Sequence, residues 1–223
     1  MRHDALSVPF WSPEEIEGAL KPALYQLELR RVLAYPTETV YGFGGAIDRE
    51  SVANLIRLKR RPLGKPFLLL IDGSEMVLRL DLHMPSYAST LAARHWPGPL
   101  TLVLPGGHGR VPPQLRGPEG GVAVRWTSHT PIQRLIRAYG EPITSTSANR
   151  PGVPPAMAAS EVLAQWPDAI ARGDLMLLDA GRLTSSQPST VVDCMGRHPR
   201  VIRPGAIPAR VLRESVPSLI GDA

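Results

Sequence analysis

The chain has 223 residues, of which 43% are hydrophobic and 20% charged, with a formal net charge of +5 and a pI near 9.8. It is long enough to bury a sizeable core, and it has no apolar run of membrane-spanning length. The N-terminus, MRHDALSVPFWS, lacks the apolar stretch of a signal peptide, and the single cysteine, Cys194, excludes an internal disulfide. A cytoplasmic protein with no membrane association is expected. The positive balance favours anionic partners, nucleotides or RNA among them. Its cations are unevenly chosen: 22 arginines against three lysines, Lys21, Lys59 and Lys65. Where arginine is the default, a lysine suggests a need for a compact, mobile point charge.

In chain order, Ser12-Pro13-Glu14-Glu15 reads as a helix start with a serine cap, proline in the first turn and glutamate three after the cap. Ile16, Leu20, Ala23, Leu24 and Leu27 share one face, but Pro22 predicts a kink or two shorter helices. A short strand over 31–35 then meets Ala34 to Gly45, reading AYPTETVYGFGG. Thr37, Glu38 and Thr39 stand side by side at the end of that strand, next to glycines that allow a sharp turn or a close approach. Such a cluster suits a polar small molecule at a sheet edge, or simply a polar turn.

A second helix, capped by Asp48 or Ser51, carries Val52, Leu55 and Ile56 inward and ends before Pro62. Lys59-Arg60-Arg61-Pro62-Leu63-Gly64-Lys65-Pro66 follows, then an apolar strand, Phe67 to Ile71. Cations at a helix C-terminus are ordinarily dipole partners worth about 0.3–1 kcal/mol each. Four of them, fixed by two prolines between a helix and a buried strand, fit a phosphate site better. Pro85 predicts another helix start, with Tyr87, Leu91 and Ala92 toward the core, and Trp96-Pro97-Gly98-Pro99-Leu100-Thr101 a tight turn into a strand. Residues 105–120, rich in glycine and proline, read as a mobile excursion.

Val122-Ala123-Val124-Arg125-Trp126 alternates little, which predicts a strand buried on both faces. Arg125 within it is either half of a buried ion pair or aimed at a substrate anion, with its guanidinium leaving the core at the strand end. A helix from Thr130 precedes Pro142 to Asn149, PITSTSAN, whose run of hydroxyls suits phosphate or ribose oxygens unless it is a solvated turn. Residues 156–166 read as helix and Leu175 to Leu178 as strand. Ser189-Thr190-Val191-Val192-Asp193 and Val201-Ile202-Arg203-Pro204-Gly205 close the pattern. The six histidines have no metal-ligand spacing, and P-loop, dinucleotide and nucleophile-elbow glycine motifs are lacking.

The AYPTETVYGFGG stretch resembles the signature of the YrdC family, the threonylcarbamoyl-AMP synthases. The resemblance recurs in order at Lys59-x-Arg61, WPGPLT, VAVR, TSAN and STVVD with Arg203, spanning about residues 30–205. It departs at Leu70, where some members have histidine. It implies one α/β domain (α+β type) over residues 1–223, a YrdC/RibB-like twisted mixed sheet with surrounding helices and an open concave basic face. It implies joining of L-threonine, bicarbonate and ATP with release of pyrophosphate, with Mg2+ accompanying ATP and no metal cage of protein ligands. Lys59 and Arg61 are the implied catalytic cations, and Thr37, Thr39, Arg125, Ser145 and Ser189 the threonine pocket. Arg61, Lys65, Ser147, Asn149 and Arg203 are the implied ATP ligands. Downstream tRNA-modification proteins and weak RNA binding are the further expected partners. A non-catalytic RNA-binding module of the same fold is the alternative, and a carbamoyl-transfer domain a third possibility.

Overall fold

The computed structural model describes residues 7–61, 66–184 and 187–221. Strand β1 (Ser7–Pro9) leads into helix α1 (Pro13–Glu28), opened by the expected capping box between Ser12 and Glu15. Helix α1 runs unbroken through Pro22 rather than splitting there. Ile16, Ala19, Ala23 and Leu27 bury one continuous stripe, which holds both halves in one helix despite the lost backbone bond. Strands β2 (Val32–Tyr35) and β3 (Gly42–Gly44) flank the threonine-rich loop, and α2 (Arg49–Lys59) is capped by Asp48.

The remainder alternates strands and short helices: β4 (Leu68–Ile71), α3 (Ser74–Arg79), α4 (Ser86–His95), β5 (Leu100–Leu104) and β6 (Val122–Trp126). Then come α5 (Thr130–Tyr139), β7 (Ile143–Ser147), α6 (Ala159–Gln165), α7 (Pro167–Ala171) and β8 (Leu175–Asp179). Strands β9 (Thr190–Asp193) and β10 (Arg200–Arg203) and helix α8 (Ala209–Ser215) complete it. Among the described residues no helix is long and apolar enough to cross a membrane.

The ten strands form one mixed sheet in the order β1-β8-β2-β3-β7-β4-β6-β5-β9-β10. Its register gathers the motifs. Tyr35 pairs with Gly42 and Gly42 with Ser147, while Ser145 pairs with Leu68 and Leu70 with Arg125. Paired residues share a face and each strand alternates with period two, so Tyr35, Ser147, Ser145 and Arg125 lie on the same side of the sheet. The segment 105–120 is anchored rather than loose: Val111 and Leu115 are buried, and Arg116 bonds the carbonyls of Val111 and Gly120.

Two glycines allow β3 to lie tightly between β2 and β7. A Cβ on Gly44 would sit 1.7 Å from the Thr144 carbonyl oxygen and 2.8 Å from the Tyr35 hydroxyl. Backbone at that distance cannot move aside without breaking the sheet. Gly44→Ala is therefore expected to destabilise the protein by about 3 kcal/mol or more, read as a drop in the urea midpoint. A wild-type midpoint would mean that β3 does not run this close to β7.

Candidate anion and amino-acid site

The loop from Pro36 to Tyr41 is built on Thr37. Its hydroxyl donates to the Val40 carbonyl at 2.7 Å and accepts from the backbone N–H groups of Thr39 and Val40. The Thr37 and Thr39 hydroxyls lie 2.9 Å apart. With the Thr37 proton committed to Val40, Thr39 must be the donor in that contact. Thr37 is saturated and fixes the loop, whereas the Thr39 oxygen keeps lone pairs for another partner. The site's hydroxyls thus divide into structural and available ones.

Lys59, at the end of α2, is buried at 6% exposure and reaches across to β7. Its ammonium donates to the carbonyls of Ser147 and Asn149, both at 2.6 Å, and to Asn149 Oδ1 at 3.1 Å. The Ser147 hydroxyl donates to the same Asn149 Oδ1 at 2.6 Å, so Lys59, Ser147 and Asn149 form one knot. Arg61 bonds Thr146 Oγ1 at 3.2 Å and the Pro66 carbonyl at 2.9 Å, with its guanidinium 4.7 Å from the Phe67 ring centroid. Burial, and then the charge of Arg61, lowers the Lys59 pKa to about 8, and burial lowers that of Arg61. Lys65 lies outside the described residues.

Arg125 is half of a buried ion pair. It is buried at 4% exposure, so its guanidinium stays inside rather than leaving the core, because its partner is inside too. Glu38 Oε2 lies 3.8 Å from its Nη2, and the Thr127 hydroxyl donates to the same carboxylate oxygen. Arg125 Nε is buried without a hydrogen-bond partner among the described residues, which leaves a donor for a ligand. His129, packed nearby, has its pKa pushed down to about 4 by burial, against the raising effect of Glu38, and so is neutral at pH 7. On the far side, Arg203 Nη2 donates to the Ser189 carbonyl at 2.8 Å and its hydroxyl at 3.0 Å, and that hydroxyl lies 2.9 Å from Thr101 Oγ1. Burial and the like charge of Arg125 both lower the Arg203 pKa.

The structure thus brings Arg125, Ser189 and Arg203 together, although the motifs suggest different subsites for the two arginines. Ser145 interacts with the Tyr35 phenol, whose own proton goes to the Thr144 carbonyl at 2.9 Å. Glu38, Thr127, Thr101 and Tyr35 are site residues that motif reading missed. Glu38 was the legible one, an acid between two threonines. Thr101 closes the WPGPLT stretch but reaches Ser189 only because β5 pairs with β9, and Thr127 meets Glu38 two residues beyond Arg125. Among the described residues no group of three or more His, Cys, Asp or Glu is placed to hold a metal ion.

A mixed sheet that gathers cations, hydroxyls and an arginine–carboxylate pair has the chemistry of a protein for anionic and zwitterionic small molecules. The comparisons name the family. The Sua5/YciO/YrdC family, described as "Telomere recombination", matches residues 26–205, and the chain belongs to it. A relative from Marinobacter nauticus named threonylcarbamoyl-AMP synthase is 37% identical over 180 residues, covering 77% of this chain and 93% of that protein. Pyrococcus abyssi Sua5 complexed with L-threonine superposes with a TM-score of 0.84 at 30% identity, covering 96% of this chain and 62% of that one. Escherichia coli YciO superposes at 0.79 with 25% identity, covering 93% and 98%. The chain spans less than two thirds of the Pyrococcus protein and nearly all of the other two.

Cys194 is fully buried beyond β9, and burial with the Asp193 charge pushes its pKa up to about 12. It is a thiol at any physiological pH and has no thiolate to offer. Alkylating reagent at pH 8 should leave the native protein unmodified, and Cys194→Ser should retain activity. Rapid labelling without loss of fold would show a reactive cysteine.

Proposed function

We propose that the chain is an L-threonylcarbamoyladenylate synthase, joining L-threonine, bicarbonate and ATP with release of pyrophosphate. The observation that carries this is a buried arginine beside a carboxylate in the same sheet whose strand β7 anchors the lysine–arginine cluster. Threonine's carboxylate matches the Arg125 fork, and its ammonium matches Glu38. The Thr39, Ser145 and Ser189 hydroxyls supply the remaining polar contacts of that pocket. Lys59, Arg61, Lys65 and Arg203 face the triphosphate, with Ser147 and Asn149 on the nucleotide. Similarity to a threonine-bound Sua5 and to named synthases supports the same reading over an RNA-binding module.

In this reading the threonine ammonium first gives up a proton, and the amine so formed adds to the bicarbonate carbon with loss of water to give a carbamate. A carbamate oxygen then attacks the α-phosphorus, the bond from it to the bridging oxygen breaks, and pyrophosphate departs with the pair of electrons. No covalent protein intermediate is needed, so this chain contributes positioning and charge neutralisation. Magnesium, arriving with ATP, would neutralise the triphosphate further. Lys59, Ser147 and Asn149 hydrogen-bond one another, so phosphate oxygens must take over those donors as they bind. Hand-over to tRNA-modification proteins, weak RNA contact and a cytoplasmic location complete the proposal, supported by the net charge of +5.

The deciding experiment is product analysis by mass spectrometry with all three substrates, in parallel with pyrophosphate release. Release should require both threonine and bicarbonate. Equal release with threonine omitted would exclude the synthase.

Two variants of condition probe the subsites. Arg125→Lys keeps the charge but loses one of two parallel bonds, so the threonine KM should rise about ten-fold, from the roughly 1–2 kcal/mol of a charge-assisted hydrogen bond. The ATP KM should hardly move, and a fall in ATP affinity with threonine affinity intact would reverse the assignment. Lys59 must be protonated to meet phosphate, and its free-enzyme pKa is near 8 rather than 10.5. Since a lowered lysine pKa loses its charge earlier as pH rises, kcat/KM for ATP should fall above about pH 8. A flat profile to pH 10 would remove Lys59 from phosphate binding.

A further inference from the structure

Behind the knot at Lys59, away from Arg125, lies a cavity of about 750 Å³ between the end of α2, the start of β2 and α7. Its walls carry six cationic side chains, Lys59 with Arg31, Arg57, Arg60, Arg150 and Arg172, against two carboxylates. Arg172 is neutralised by Asp174 at 2.9 Å, and Arg150 is spent on the Gln165 carbonyl and the Trp166 ring. Arg31 and Arg60 have no side-chain hydrogen bond or ion pair among the described residues.

The rest of the lining sets what the cavity could take. Arg60 adopts a left-handed conformation, φ 49 and ψ 41, at the C-cap of α2, where glycine is the unstrained choice. Trp166, only 8% exposed, also lines the cavity. Leu29, Val32 and Leu58 give the same cavity an apolar wall. Unneutralised guanidinium groups call for an anion with several acceptor oxygens, and the apolar wall for a carbon skeleton attached to it. The volume is that of a nucleotide-sized molecule. Lys59 belongs to both places: its ammonium is in the anion site on the sheet and its stem forms a cavity wall.

We propose that this cavity is a second ligand site, taking a small organic phosphate of nucleotide size with its phosphate on Arg31 and Arg60. The site is separate from the Arg125 and Arg203 face and does not depend on the reaction catalysed there.

The test is calorimetric titration of the whole protein with ADP, on wild type, the double variant Arg31→Glu/Arg60→Glu, and Arg203→Ala. Both reversed residues are exposed, and thermal melting checks that the variants fold. Wild type and Arg203→Ala should share an ADP-binding event that the double variant loses or weakens by more than about ten-fold, as expected for removing two charge-assisted contacts. Should no measured activity appear in any form of the protein, the reading of the other face fails while the ADP result stands. An ADP isotherm unchanged by the double variant overturns the cavity site. So does loss of binding to a short RNA duplex in the double variant with ADP binding intact, because the arginines would then belong to a nucleic-acid surface.

Discussion

The positive charges at the heart of the site are held by oxygen atoms that do not neutralise them. Lys59 is bound by two backbone carbonyls and an amide oxygen, and Arg203 by the carbonyl and hydroxyl of Ser189. Among the described residues neither has a carboxylate partner. Neutral acceptors orient a cation while leaving its field outside intact; burial first, and for Lys59 and Arg203 the like charge of a neighbouring arginine, lowers the pKa of each of Lys59, Arg61 and Arg203. An arrangement of this kind costs stability until an anion arrives. It suits a protein whose substrate is a triphosphate and whose chemistry needs charge neutralised rather than a nucleophile activated.

Arg125 is organised on the opposite plan. It is the most deeply buried cation of the site, and a guanidinium at 4% exposure needs an anion close by when no ligand is bound. Glu38 supplies it at 3.8 Å, longer than a direct hydrogen bond, with Thr127 holding the carboxylate from the other side. A loose pair can admit a zwitterion: carboxylate to the arginine, ammonium to the glutamate. The ion pair is what the structure shows, and in the proposed reading it is also what a substrate carboxylate would open.

Much of this is legible in the chain because the motifs sit at the ends of strands that periodicity makes visible. Ser12 to Glu15, Asp48, the 32–35 strand and the VAVR and TSTS strands all form as their residues suggest. Legibility stops where strand pairing decides. Thr101 enters the site because β5 lies beside β9 and its hydroxyl reaches Ser189, and nothing near residue 101 announces that contact. The three-residue β1 and the short helices α3, α7 and α8 are too brief to show a period. Residues 105–120 looked loose by composition, yet Val111 and Leu115 bury themselves, since two apolar side chains suffice to anchor a loop that glycines allow to fold back.

The lysine at residue 59, in a chain that otherwise spends arginine freely, has a geometric reason. The three acceptors around its nitrogen, the carbonyls of Ser147 and Asn149 and the Asn149 side chain, converge on one point from the turn that ends β7. An ammonium presents three donors about a single centre and can satisfy all three at once. A guanidinium places its donors in a plane around a larger group, so it would satisfy two acceptors at most and force the third away. Arg61, two residues on, meets separated partners, Thr146 Oγ1 and the Pro66 carbonyl, and stacks on Phe67, which is what a planar fork does well. The pair is thus not interchangeable: the lysine closes the turn on which Ser147 and Asn149 stand, and the arginine spans from β7 to the chain entering β4.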